Sequence, residues 1–241
     1  FDRRDEFRSG GVAHVDDEDA PIGYLINAAA VGFDDVGFVD AFDDGRVDET
    51  TWQVVTPGVG SVEETTALHV HLRCPPGQCP PPHADRGGVS SAGRLSLRGD
   101  FDLRVELRDL HVAGFPEGAV EAGLGIEDAA SGRRYRLARV QRPSGEKVAS
   151  VYRATAESGG QTAELTVPAA TAGGSTLRIV REGSTIRFLA GEPGRGWVSV
   201  GEVVGTSGDV AVVLDLRRSG TVPHARATFD DLVVLGGASG P

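Results

Sequence analysis

The acidic residues of the segment EAGLGIED, residues 121–128, are the first candidates for chemistry in this sequence. Two carboxyls can hydrolyse a glycosidic bond between them if they lie about 5–9.5 Å apart. Glu121 and Glu127 are six positions apart, so on a strand they share a face but lie roughly 20 Å from each other. Asp128 ends the segment. This spacing argues against a hydrolytic pair and predicts a solvated strand face followed by a turn carboxylate.

Histidines in the segment HVH form a second candidate site. His69 and His71 are two positions apart, so on a strand both side chains leave the same face. With His83 or Asp85 from the following proline-rich loop, they could bind a transition metal. The alternative is that both imidazoles are ordinary surface groups, and the spacing leaves the two interpretations open.

Aromatic side chains are scarce, at 6% of the chain, so few rings are available for a sugar to stack on. We expect Trp52 and Trp197 to fill the core, because large rings contribute strongly to packing. We therefore assign ligand binding to a polar sheet face formed by four other residues: Tyr135, Tyr152, Arg134 and Arg136.

Strict alternation in GDFDLRVELRDLHV, residues 99–112, predicts the strand that would organise the core. Its apolar residues face one way and its charged residues the other: Phe101, Leu103, Val105 and Leu107 against Asp102, Arg104, Glu106 and Arg108. We expect the charged face to be solvated and to carry cross-strand ion pairs.

About a dozen such segments, separated by glycine-rich turns, predict an all-β fold with two antiparallel sheets packed as a sandwich. No long amphipathic helix is evident, and no run of apolar residues is long enough to span a membrane. We expect three parts: an acidic extension or docking arm at residues 1–37, the sandwich at 38–236, and a flexible tail at 237–241.

Charge is concentrated at the start of the chain. The net charge is −11, yet residues 1–50 alone hold 14 acidic residues and 4 arginines, so the remainder is nearly neutral. The sandwich has no basic stripe, which argues against nucleic-acid binding. Polar, acidic runs around a short apolar segment suit an arm that docks on a neighbouring subunit, so self-association through residues 1–37 is one hypothesis.

The cysteines and the first residue indicate the cellular compartment. Cys74 and Cys79 lie in RCPPGQCPPPH, where we expect a disulfide and hence an oxidising environment. The sequence begins with Phe1 and contains no Met, from which we expect a processed mature form. Both observations favour a protein that is secreted or held at the cell surface.

The order of the segments resembles the concanavalin A-like lectin/glucanase and laminin G-like jelly rolls over about residues 38–236. The phrases that carry this resemblance are FDDGRVDETTW, LRGDFDLRVEL, EAGLGIED, RYRLARV, TLRIVREGSTIRFLAGEPGRGW and ATFDDLVV. The resemblance implies that the first and last strands lie side by side, with Phe42 near Phe229. It also implies that one sheet is concave and often binds the ligand. Glucanases of this kind carry Glu-x-Asp-x-x-Glu on one strand, which EAGLGIED does not match.

The resemblance also implies a structural calcium ion near the paired ends of the sandwich. Five carboxylates would meet there if the first and last strands pair: Asp40, Asp43, Asp44, Asp230 and Asp231. Carboxylates and loop carbonyls are suitable calcium ligands. A solvated acidic turn is the alternative.

These observations lead to a functional prediction that rests largely on fold. We expect no catalytic activity and a non-catalytic extracellular recognition module that binds a glycan or another extracellular polymer. One alternative is a structural subunit of a cell-surface or filamentous assembly, docked through residues 1–37. The other alternative, with the least support in the sequence, is a glycoside hydrolase.

Overall fold

A computed structural model describes residues 36–56, 60–73, 85–112, 117–144, 147–170 and 173–239. These residues form strands and turns, and among them there is no helix that could cross a membrane. The predicted disulfide partners Cys74 and Cys79, the candidate ligand His83 and nearly all of the predicted arm, residues 1–35, lie outside the described ranges.

Seventeen strands are described. In chain order they are β1 (Val36–Asp40), β2 (Gln53–Val55), β3 (Gly60–Glu64), β4 (Leu68–Arg73), β5 (Asp85–Ser90), β6 (Ser96–Leu97), β7 (Phe101–Val112), β8 (Gly118–Asp128), β9 (Arg133–Ser144), β10 (Lys147–Ser158), β11 (Gln161–Pro168), β12 (Ser175–Glu182), β13 (Thr185–Glu192), β14 (Gly196–Val204), β15 (Ala211–Gly220), β16 (His224–Leu235) and β17 (Ala238–Ser239).

The strands form two large antiparallel sheets. The eight-stranded sheet has the order β14-β13-β12-β7-β16-β4-β3, and β1 also pairs with β16. The seven-stranded sheet has the order β11-β10-β9-β8-β15-β5-β2, and β6 pairs with β17 in a small third sheet. The predicted all-β sandwich of two antiparallel sheets is confirmed. The first strand, β1, is adjacent to the last long strand, β16, as expected, with Asp40 opposite Leu232.

The limits of the strands differ slightly from the expected division of the chain. β1 begins at Val36, where it pairs with Leu235, so the last two residues of the predicted arm are part of the sheet. Ala238 and Ser239 pair with β6, so the predicted tail, residues 237–241, contains a short strand.

The core lies between the sheets and is built by alternation along each strand. Phe101, Leu103 and Val105 are fully buried and face the other sheet, as the pattern predicts. The opposite face of β7 differs from expectation, because Asp102 and Arg104 are also fully buried. They form an ion pair with each other on the outer side of the sheet, so this part of the face is not solvated.

The two tryptophans have different surroundings. Trp52 is buried in the core, and its indole donates a hydrogen bond to Asp40 Oδ2 at 2.7 Å. Trp197 lies outside the core, on the outer face of the eight-stranded sheet. The Arg178 guanidinium carbon is 5.0 Å from its ring centre, and that of Arg104 is 5.9 Å away. The expectation that Trp197 fills the core is therefore wrong.

Candidate functional site

The residues assigned to a polar ligand face are divided between the two sides of the seven-stranded sheet. Arg134 and Arg136 point outward, whereas Tyr135 and Tyr152 point into the core and are 3% and 0% exposed. The physical reason is that successive side chains of a strand point to opposite faces of the sheet. Tyr135 therefore points to the core, and its neighbours Arg134 and Arg136 point outward. The prediction that the two tyrosines bind a ligand on this face is therefore corrected.

Arg136 is the centre of the outer face of this sheet. Its Nε donates a hydrogen bond to Asp215 Oδ1 at 2.8 Å, and its Nη1 donates one to Glu121 Oε2 at 2.8 Å. To reach Asp215 on β15, the side chain crosses β8 above Gly123. A Cβ atom at position 123 would lie 2.5 Å from Arg136 Nε, so the side chain takes this path because residue 123 is glycine.

Further arginines extend this arrangement into a network of alternating charges. Asp215 also binds Arg86 Nε at 3.0 Å and Arg217 Nε at 2.8 Å. Glu121 also contacts Arg153. The network continues at both ends through two pairs: Arg86 with Glu127, and Arg153 with Glu164. Six strands are thereby connected on one face, from β5 to β11.

The arginines keep the two central carboxyls ionised. Burial acts to raise the pKa of Glu121, but the charges of Arg136 and Arg153 outweigh it, and the pKa is lowered. Burial of Asp215 is opposed in the same way by Arg136, Arg217 and Arg86, and its pKa is also lowered. In the free protein both groups are therefore anions at neutral pH.

The carboxylates proposed from EAGLGIED are placed as their spacing predicts. Glu121 and Glu127 share the outer face but contact different arginines. Asp128 is a turn residue that accepts hydrogen bonds from the backbone of Ala130 and Ser131. Its hydrogen bonds, above all one from the Thr206 hydroxyl, lower its pKa to about 2. Glu121 and Glu127 do not form a pair.

Asp215 is the central residue that sequence reasoning missed. It is far from Glu121 in the sequence, and β15 is paired with β8 so that Asp215 lies opposite Gly123. The available signal was one acid among five apolar residues in AVVLDL. A carboxylate buried in such a strand needs a partner within the protein, because water cannot solvate it there.

The predicted calcium ligands are divided between two places. Asp40 accepts hydrogen bonds from the backbone of Phe42 and from Trp52. The charges of Asp40 and Asp44 act on the buried Glu64, which also has a hydrogen bond to Asp44. Asp43, in the same turn, is exposed.

Asp230 and Asp231 instead group with Glu106. One ligand oxygen from each of these three residues lies within 4.8 Å of the others, and Arg108 contacts Asp230. Burial, with the charge of Asp231, raises the pKa of Asp230. The five predicted ligands therefore do not form one group, and calcium binding stays a prediction.

The histidines lie on the outer face of the eight-stranded sheet. His69 is hydrogen-bonded to the hydroxyls of Thr228 and Thr65, each at 3.2 Å, and the His71 ring stacks on His224. Asp85 is not near them, because it pairs with Arg218 in the other sheet. Metal binding by His69 and His71 stays a prediction.

Solved structures with a similar fold are mostly glycoside hydrolases. One is a non-specific endo-β-1,3(4)-glucanase of family GH16, with 10% identity and a TM-score of 0.62, covering 86% of this chain and 91% of that one. A β-1,3-glucanase from Mycobacterium marinum has 14% identity and a TM-score of 0.58, covering 83% and 98%. An immunostimulatory antigen and pseudo β-1,3-glucanase of Mycobacterium tuberculosis has 15% identity and a TM-score of 0.55, covering 84% and 99%.

These similarities confirm the concanavalin A-like jelly roll, since at such low identity they show the fold. They contradict the prediction of a non-catalytic recognition module that is not an enzyme. The finding behind this correction is that enzymes share the fold, among them the endo-β-1,3(4)-glucanase and the β-1,3-glucanase named above.

Sequence comparisons identify a family. No curated protein matches the chain. One family model, described as "Protein of unknown function (DUF1583) C domain", matches residues 38–194, which is more than half of the chain and includes most of both sheets. The chain therefore belongs to the DUF1583 C-domain family.

Proposed function

We propose that this chain is a glycoside hydrolase that acts on a polysaccharide at the outer face of the seven-stranded sheet, with Glu121 and Asp215 as its reacting carboxyls. The observation that carries the proposal is that one guanidinium, that of Arg136, binds both groups. Asp215 lies opposite Gly123, so it is a diagonal neighbour of Glu121. Diagonal neighbours are about 7–8 Å apart, which falls within the range of about 5–9.5 Å for glycosidase carboxyl pairs.

The surroundings of the two carboxyls suggest different roles. Glu121 is the more accessible, with 13% of its side chain exposed against 2% for Asp215. Arg153 binds it in addition to Arg136, so Glu121 stays ionised if Arg136 turns away. An ionised carboxylate is suited to act as the nucleophile or as the base that activates water. We assign this role to Glu121.

Asp215 would then donate the proton to the leaving oxygen. Its burial acts to raise its pKa, and Arg136 is the largest of the charges that oppose this. A sugar hydroxyl that takes the place of Asp215 as the partner of Arg136 Nε removes the largest of these charges and shifts the pKa of Asp215 upward, towards that of a proton donor, while Arg86 and Arg217 still bind its other oxygen. Substrate binding and formation of the acid are therefore linked through Arg136.

Hydrogen-bond donors on this face support a substrate rich in hydroxyl groups. Arg136 Nη2 and Arg153 Nε are buried and have no hydrogen-bond partner among the described residues. Buried donors of this kind are normally satisfied, and sugar hydroxyls can accept from them. The predominance of β-glucanases among similar structures supports a neutral β-glucan as the substrate class. A polysaccharide substrate also agrees with the expectation that the protein lies outside the cell.

The experiment is to measure release of reducing ends from laminarin and from mixed-linkage β-glucan. Glu121→Gln and Asp215→Asn should each lower the rate by about 10²–10⁴-fold, the range of a general acid or base. Glu157→Gln is the matched control, because Glu157 is a more exposed carboxylate on the same face and should be dispensable. The proposal is wrong if the folded protein releases nothing from either glucan, or if Glu121→Gln retains full activity.

A further inference from the structure

Trp197 is a half-buried aromatic side chain on the outer face of the eight-stranded sheet. Antiparallel pairing puts it opposite Gly191, Gly191 opposite Thr176, and Thr176 opposite Glu106. These four residues therefore form one row across the outer face of the eight-stranded sheet. Among the described Phe, Tyr and Trp residues, Trp197 is the one that is neither buried in the core nor packed against it.

The ring is held in place from the side of the sheet. Arg178 and Arg104 both approach it at cation–π distances and are themselves bound to the buried Asp102. Gly191 allows the close approach, because a Cβ atom there would lie 3.1 Å from Trp197 Cζ3. A ring fixed in this way loses little conformational freedom on binding a ligand, which favours affinity.

A pocket of about 450 Å³ lies beside the ring. Its lining combines Trp197 with small residues and with polar side chains, among them Glu106, Arg108 and Thr176. This volume is within the range of about 300–1,000 Å³ that small-molecule sites occupy. Arg108 lies 3.6 Å from Glu106 and also contacts Asp230, and Glu192 lines the pocket as well, so the rim offers one cationic donor and several carboxylate acceptors for hydroxyl groups.

We infer that this pocket is a second saccharide-binding site, on the sheet opposite the proposed reaction site, and that it takes a unit of a neutral oligosaccharide. A sugar ring stacks on Trp197, as apolar sugar faces do on aromatic rings, while Glu106, Arg108 and Thr176 bind its hydroxyls. An anionic ligand is disfavoured, because it would meet the carboxylates of Glu106 and Glu192 at the rim. The inference does not depend on hydrolysis at Glu121 and Asp215.

Intrinsic fluorescence provides the test, because the chain has two tryptophans and Trp52 is buried in the core. Laminaritetraose and cellotetraose are titrated into the Glu121→Gln protein, in which turnover is suppressed. We expect a change in tryptophan emission with at least one of them, lost in Trp197→Phe. In Trp197→Ala, calorimetry should show affinity at the Trp197 pocket weakened about tenfold or more, or about 1.4 kcal/mol, while any binding at the face of Glu121 and Asp215 stays as it was. The matched control is Arg187→Ala, a half-exposed residue of the same sheet that does not line the pocket, and it should bind normally.

Thr176→Arg covers the case in which Trp197→Ala does not fold. This substitution fills the pocket and leaves the ring in place, so it should abolish the ligand-induced change in tryptophan emission while thermal unfolding stays cooperative. Binding that is unchanged in a folded Trp197→Ala or Thr176→Arg protein overturns the inference, as does the absence of binding by both tetrasaccharides. A folded Trp197→Ala protein that hydrolyses soluble glucan normally separates this site from the proposed reaction site. If the unaltered protein does not hydrolyse glucan, only the proposed reaction is overturned.

Discussion

Arg136 Nε lies 2.8 Å from Asp215 Oδ1, although the two residues belong to strands that are not neighbours in the sheet. The strand between them contributes no side chain at the crossing point, because residue 123 is glycine. The contact therefore links β9, β8 and β15 through a side chain in addition to their backbone hydrogen bonds. Any change at Arg136, Asp215 or Gly123 should affect the same network.

Replacing Arg136 should destabilise the protein strongly. In Arg136→Gln, Asp215 stays buried with one cation fewer, and Glu121 loses one of its two partners. Breaking a buried ion pair by removing one member costs about 3–5 kcal/mol. Urea denaturation should show a loss of this size. Arg134→Gln is the control, since Arg134 is 55% exposed and should change the free energy of unfolding by less than about 1 kcal/mol. Equal effects of the two substitutions would contradict the central role of Arg136.

Gly123→Ala should displace the Arg136 side chain from Glu121 and Asp215 while the protein still folds. The new methyl group would meet the end of a flexible side chain, so the Arg136 guanidinium can move away without displacing the backbone. We expect glucan hydrolysis to fall by more than about tenfold, because Arg136 no longer bridges Glu121 and Asp215. Gly125→Ala is the matched control on the same strand, where the added carbon would lie 3.3 Å from the Tyr135 carbonyl oxygen. An equal fall in both variants would argue against a positioning role for Arg136.

Glu64 should make stability depend on pH. Its burial, together with the hydrogen bond to Asp44 and the charges of Asp40 and Asp44, raises its pKa from 4.5 to about 7. The folded state therefore binds a proton more tightly than the unfolded state. The resulting stabilisation is complete below pH 4.5 and is lost as the pH rises through 7.

Glu64→Gln should remove this dependence. Between pH 5 and pH 8 the unaltered protein should lose on the order of 2 kcal/mol at this site, since each pKa unit corresponds to about 1.4 kcal/mol. Thermal or urea unfolding of Glu64→Gln across this interval should show a flatter profile. Glu63→Gln, at the adjacent exposed position, should retain the original slope. A steep profile that survives in Glu64→Gln would place the titrating group elsewhere.

Asp102→Asn should be among the most damaging single substitutions in the eight-stranded sheet. Asp102 Oδ1 accepts hydrogen bonds from Arg178 Nε at 2.9 Å and Arg104 Nε at 3.0 Å, and all three side chains are buried. Without the carboxylate, two buried cations face each other, and we expect a loss of about 3–5 kcal/mol in urea denaturation. Asp109→Asn removes a half-exposed partner of Arg226 and should cost less than about 1 kcal/mol.

The pH dependence of this group has the opposite sign to that of Glu64. Burial of Asp102 acts to raise its pKa, but Arg178 and Arg104 outweigh it, and the pKa is lowered. The stabilisation is therefore present above the unfolded-state pKa near 3.8 and is lost as the pH falls through the folded-state value. In the acidic range, the free energy of unfolding of Asp102→Asn should depend less on pH than that of the unaltered protein.

Local patterns in the sequence predicted the fold well and the site poorly, for physical reasons. Alternation from Phe101 to Leu107 identifies a strand because its period is two. The same period could have shown that Tyr135 and Arg136 cannot share a face. Other features depend on contacts between distant segments, which no local pattern carries. The position of Asp215 opposite Gly123 is of this kind, as is the position of Trp197 over Arg104.

The pairing of β1 with β16 bears on how this domain can be joined to other chains. Val36 lies opposite Leu235, so the start of β1 and the end of β16 are neighbours in space. A domain with neighbouring ends can be inserted into a surface loop of another protein without stretching either connection. For the same reason, a circularly permuted chain with a short linker between these ends and new termini at the exposed hairpin of Gly183 should form the same two sheets.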